Sequence, residues 1–135
     1  MSISLNSNTL QDAGILILRV CLGILILFHG VSKIVHGIGP IEGMVTGMGL
    51  PGWLSYGVYL GEVLGPALLV TGFHARIGAG LIAINMVIAI ILAHSGDLLS
   101  LTPHGGWRLE LQGMYLFTAL ALVCIGPGRF SLNQR

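Results

Sequence analysis

Residues 19–36 read RVCLGILILFHGVSKIVH, a run apolar enough to cross a bilayer yet carrying Arg19, His29, Lys33 and His36. These four positions, with Leu22 and Ile26, are separated by three, four, three, four and three residues. That alternation puts all six on one narrow face of a helix. Taking ionisable side chains into hydrocarbon is expensive, so such a face turns toward other helices or a wet cavity. The seam from Arg19 to His36 is therefore expected to line the functional site.

The composition sets the solvent of the fold. Of the 135 residues, 54% are hydrophobic and 8% charged, and the mean hydropathy is +0.90. A soluble domain carries about 25% charged residues, so this chain belongs in the lipid bilayer. Four apolar runs, at approximately residues 13–35, 53–72, 77–94 and 107–125, each approach the ~20 residues that span a bilayer core. They predict one all-α domain over residues 1–135, an integral membrane four-helix bundle. The net charge of +1 offers no footprint for nucleic acid. Cys21 and Cys124 have neither redox nor zinc spacing and read as small buried apolar side chains. The start, MSISLNSNTLQDAG, has no basic region, so a cleavable signal peptide is not expected.

Asn8 or Thr9 is expected to cap the first helix, with Asp12 in its first turn. Residues 37–51, GIGPIEGMVTGMGLP, read as a loop holding a short surface-lying helix near residues 41–48. That segment is either a connector or a lid. In the second span Gly57, Gly61 and Gly65 recur every four residues, a doubled GxxxG that lets a helix approach closely. It suits packing within the chain or a homo-oligomer. Glu62 lies mid-membrane in the same span. The short turn GFHAR makes the second and third helices antiparallel neighbours, and Asn85 is the only polar mid-membrane residue of the third. Arg108, Glu110 and Gln112 open the fourth.

With four spans, both termini share a side with Arg76, Arg129 and Arg135, while Lys33 and Arg108 on the other side are offset by Glu42, Asp97 and Glu110. Positive charge marks the cytoplasmic side, which places both termini inside the cell. At ~1.5 Å per residue, Arg19 comes out ~9 Å and Glu62 ~15 Å above the cytoplasmic boundary. An Arg19–Glu62 ion pair is the expected arrangement. Higher up, His29, Lys33, Glu110 and Gln112 come out at similar depth, with His29 a candidate proton carrier. Trp53, Tyr56, Tyr59, Trp107 and Tyr115 fall in the same outer half, as an interfacial belt or as walls for a flat ring. No HxxxH or CxxCH spacing supports a metal or haem, and there is no nucleotide fingerprint.

Three stretches carry a resemblance. ILRVCLGILILFHGVSK (17–33), GLPGWLSYGVYLGEVLGPALLVTGFHARIGA (49–79) and HGGWRLELQGMYLFTALALVCIGPGRFSLN (104–133) together resemble the DoxX family of small four-helix membrane proteins. The resemblance implies a plasma-membrane protein of an oxidoreductase system. Some members are linked to thiosulfate:quinone oxidoreduction and others to catechol, quinone or oxidative stress. Its motifs carry over Arg19, His29, Lys33, Glu62 and Glu110. Arg108 departs from the pattern, since relatives often have an acidic or polar residue after GGW.

The combined reading is a quinone-linked oxidoreductase subunit with its site in the outer half of the bundle. His29, Glu62 and Glu110 are its candidate catalytic groups. Arg19, Lys33, Arg108, Gln112, Trp53 and Tyr59 are its candidate binding groups. A quinone is the expected ligand, and electrons require a soluble or membrane redox partner protein. A scaffold for redox proteins and a small-solute or proton pathway are the alternatives.

Overall fold

The computed structural model describes residues 6–135, so the expectation resting on the first five residues lies outside the described chain. Helix α1, Ser7–His36, has 30 residues and is ~45 Å long, well beyond the ~30 Å of hydrocarbon it must cross. It starts six residues earlier than the apolar run suggested. Asn6 is its N-cap residue and makes no side-chain cap bond. Asp12 instead accepts a hydrogen bond from the Arg129 N–H at 3.1 Å, which ties the start of α1 to the tail of the chain.

The buried face of α1 is Arg19, Leu22, Gly23, Ile26 and Gly30, and Lys33 also turns inward, so of the expected seam only His29 and His36 depart. An α-helix turns about 100° per residue, and a repeat averaging 3.5 drifts around it. By Gly30 the face is within about 20° of Arg19, whereas His29 lies about 80° and His36 about 100° away. Both histidines consequently face outward.

Helix α2, Gly39–Gly47, is the short helix expected in the first loop. Helix α3, Gly52–Thr71, changes geometry along its length. It opens as a 3₁₀ turn over Gly52–Gly57, widens to a π turn over Leu60–Leu64, and closes as α-helix over Gly65–Thr71. Pro66 explains the middle. It has no N–H to give the Glu62 carbonyl four residues earlier, and its ring pushes that carbonyl aside. The chain responds with a five-residue step, the Gly65 N–H reaching the Leu60 carbonyl.

Gly72, at φ 75°, turns the chain from α3 into α4, Ala75–Ala93. Helix α4 is central, packed between α3 and α5, while α1 packs on α3 and more lightly on α5. Its inward face is small: Ala75, Gly78, Ala79 and Ala83 accompany Ile82 and Met86. With Leu22, Ile26, Leu69, Ala119 and Leu122 these form the apolar core. Two of the three glycines in the Gly57, Gly61, Gly65 repeat serve that packing. Gly65 meets the Gly78 backbone and Gly61 meets the Asn85 side chain, whereas Gly57 stands in open space.

Helix α5, Glu110–Ile125, begins later than the fourth apolar run. Trp107 and Arg108 belong to the preceding loop, where Trp107 bridges Leu101 and its indole N–H reaches the Leu98 carbonyl at 2.9 Å. Among the described helices, α1, α3 and α4 are long and apolar enough to span a membrane, and α5 is a shorter apolar helix. Large apolar side chains such as Phe28, Val35, Ile84 and Phe117 cover the outside, as expected where lipid replaces water. Cys21 and Cys124 also lie on that exterior as free thiols, not in the core. In a bilayer an outward apolar side chain is already dissolved, so burial does not select it.

Close helix approach makes a clear stability prediction. A Cβ at Gly78 would sit 2.6 Å from the Gly65 carbonyl oxygen. Gly78→Val is expected to lower stability by about 1–3 kcal/mol through overpacking. Gly57→Ala should leave the melting temperature in detergent nearly unchanged.

Candidate functional site

The polar groups of the interior gather where α1, α3 and α4 meet. The Lys33 ammonium lies 2.5 Å from Glu62 Oε2, and the Asn85 amide donates to Glu62 Oε1 at 3.2 Å. Both carboxylate oxygens thus have a donor, one of them charged. The Glu62 side chain is 7% exposed and that of Lys33 24%. Close contact and a donor for each carboxylate oxygen are what sustain such a pair at low exposure.

The backbone holds this cluster in place. The π turn carries Glu62, and such turns recur at functional sites. The carbonyl that Pro66 leaves free lies against Gly30, where a Cβ would be 2.2 Å from the Glu62 oxygen. Any side chain at position 30 would push α3 away and separate Glu62 from Lys33. A Cβ at Gly61 would likewise lie 2.2 Å from Asn85 Cβ, so this glycine lets α4 bring its amide to the carboxylate. The Tyr59 hydroxyl donates to the Lys33 carbonyl at 3.1 Å and fixes the last turn of α1.

Beside the cluster lies a cavity of about 700 Å³ between α2, α3 and α4. Lys33, Glu62, Asn85 and Ser55 are its polar lining, and the remaining wall is almost wholly apolar. Ile41, Met44, Val45 and Met48 bring α2 and its end over it as a roof. The segment read as a connector or lid therefore forms part of the site.

The expected residues divide sharply. Lys33 and Glu62 come together, with Tyr59 in support. Arg19 does not reach Glu62. It is 1% exposed and donates through Nε to the Leu69 carbonyl at 3.1 Å and through Nη1 to the Pro127 carbonyl. Arg19 lies level with Leu69, seven residues or about 10 Å along α3 from Glu62. The convergence of His29, Arg108, Glu110 and Gln112 is not formed either, and none of them lines the cavity. His29 faces outward with its ring edge-on to Tyr115 at 6.3 Å. Glu110 curls back over Gly106, where a Cβ would lie 2.8 Å from its Oε2. Arg108 and Trp53 point outward, and Gln112 is half-buried elsewhere on α5. Among the described residues, no three His, Cys, Asp or Glu side chains gather as metal ligands.

Asn85 was missed as a site residue, although its signal was present. A lone amide in the middle of an apolar span needs a partner there, and Glu62 is the carboxylate within reach.

A family model described as DoxX matches residues 14–95. The chain belongs to the DoxX family. The matched region contains every residue that lines the cavity and stops short of α5. The chain is also 35% identical over 126 residues to "Putative oxidoreductase CatD" of Bacillus subtilis (strain 168), covering 93% of this chain and 89% of that protein. No solved structure matches it.

The ion pair predicts a characteristic non-additivity. Lys33→Met leaves the Glu62 carboxylate buried without its cation and is expected to cost about 3–5 kcal/mol. Lys33→Met combined with Glu62→Met should recover most of that loss. Denaturation of the four proteins in one detergent gives the coupling, and simple addition of the two losses would show that the pair is not coupled.

Proposed function

We propose that this DoxX protein is the quinone-handling membrane subunit of an oxidoreductase system. One observation carries the reading: an ammonium, a carboxylate and an amide meet at one side of a largely apolar cavity within a membrane protein. A quinone head is flat and apolar on its faces and presents two carbonyl oxygens at its edges. Such a molecule needs apolar walls with a few placed polar groups. Lys33 Nζ is the donor for one carbonyl oxygen, and Glu62 is the group that exchanges protons with the bound ring. Asn85 holds the carboxylate by its other oxygen, so that the face toward Lys33 stays fixed.

Reduction of a quinone to a quinol takes two electrons and two protons. The protons pass through Glu62, and the electrons come from a redox partner protein, since the sequence has no cofactor motif of its own. The name of the Bacillus subtilis relative supports the redox class. Arg19 serves as an anchor of the fold, and His29 and Glu110 make no contact with the ligand.

Binding of a benzoquinone to the purified protein is expected to weaken at least tenfold in Glu62→Gln and in Lys33→Met, judged on variants that still elute as folded protein. His29→Ala should bind as the parent does. Undiminished binding in both cavity variants would overturn the assignment.

The same proposal sets α5 as a fourth crossing of the plasma membrane with both termini in the cytoplasm. Support comes from the end of the bundle that holds the tail. The His74 N–H bonds Asn133 Oδ1 at 2.9 Å, and Arg76 bonds the Val123 carbonyl at 2.8 Å. Arg76, Arg129 and Arg135 thus share one end with the start of α1 and the C-terminal tail, the charge pattern of a cytoplasmic face. A green fluorescent protein fused after Arg135 is expected to fluoresce and an alkaline phosphatase fusion at the same point to be inactive. The reverse pattern would invert the topology.

A further inference from the structure

The rim of the cavity is not made of inward-facing residues. Ile84, Ile88 and Ile91 on α4 line it and are also 60%, 49% and 55% exposed on the outside of the bundle. Across from them Met48, Leu50 and Leu60 do the same. The interior wall therefore runs without a polar break onto the lipid-facing surface, between α4 on one side and the α2–α3 segment on the other. A cavity serving ligands from water would show charged or hydroxylated side chains at its mouth. This mouth is aliphatic on both sides.

Charge inside narrows the ligand further. The ionised groups lining the cavity are Lys33 and Glu62, and they neutralise each other at 2.5 Å. An ionic ligand would have to break that pair without a counter-ion of its own, at the cost of an unpaired charge in low dielectric. At about 700 Å³ the space also lies well within the range that encloses a whole drug-sized molecule. A single quinone ring leaves much of it, and the apolar mouth, unfilled.

Resting on the quinone reading above, we infer that the cavity takes a neutral quinone with a long alkyl tail, loaded sideways from the bilayer. The ring lies at Lys33 and Glu62. The tail crosses the mouth between α2 and α4 and runs along Ile84, Ile88 and Ile91 into lipid. Tail contact with the aliphatic mouth supplies affinity by burial of apolar surface, while the paired charges fix the ring. Ile88 is thus a specificity-determining position that touches the tail and not the reacting oxygens.

The test compares 2,3-dimethoxy-5-methylbenzoquinone with the same ring bearing a ten-carbon tail, each titrated into the full chain in nanodiscs after correction for partition into empty discs. The tailed compound is expected to bind at least tenfold tighter. Ile88→Trp, which narrows the mouth, should weaken the tailed compound at least fivefold and leave the short one within twofold. Ile88→Val, a smaller side chain at the same point, should retain tight binding of the tailed compound. Equal binding of the two quinones in the parent protein, or an equal loss for both in Ile88→Trp, would overturn sideways loading while leaving the quinone site intact. Failure of both compounds to bind the parent protein would overturn the quinone reading and this inference with it.

Discussion

The structure depends on keeping one pair of charges together in a protein dissolved in lipid. Lys33 comes from α1, Glu62 from α3, and the Asn85 amide from α4. In water each group would be solvated wherever it fell. Inside this bundle each must find the others, so the three helices share one axial and rotational setting. Gly30 and Gly61 permit it by letting backbone and side chain approach where a methyl group would not fit. Pro66 contributes by breaking the regular ladder of α3, which turns Glu62 toward its partners.

A second polar node lies at the opposite end and behaves differently. Arg19 is held by backbone carbonyls of Leu69 and Pro127, and the tail around Ser131 and Asn133 closes over the α3–α4 turn. Carbonyl oxygens neither take up nor release protons at ordinary pH, so this node can only fasten. The Lys33–Glu62 node pairs two ionisable side chains beside a cavity, where a ligand can compete for their hydrogen bonds. Placement of chemistry at one end and fastening at the other follows from that difference in partners.

The cavity exists because α2 and the opening turns of α3 do not pack as a tight transmembrane helix pair. Glycines at 37 and 49, at φ 83° and 78°, let the chain enter and leave α2 at sharp angles. The 3₁₀ opening of α3 then leaves Ser55, Gly57 and Val58 along one wall. A short, glycine-rich stretch that looks like a plain connector in the sequence therefore becomes the roof of the site.

The sequence by itself determined the membrane class, the apolar runs, the α2 segment and the need of Glu62 and Arg19 for polar partners. Composition and the cost of burying charge act residue by residue, so they are legible without coordinates. Which partner each charge finds was decided only in three dimensions. Arg19 lies level with Leu69, and a π turn over Leu60–Leu64 resets the facing of Glu62. That level keeps Arg19 from Glu62, Lys33 and Asn85 take its place, and the helical step of about 100° turns His29 outward. Spacing along one helix fixes neighbours on that helix alone. Contacts between helices depend on where each begins, how it bends and which glycines let it come close.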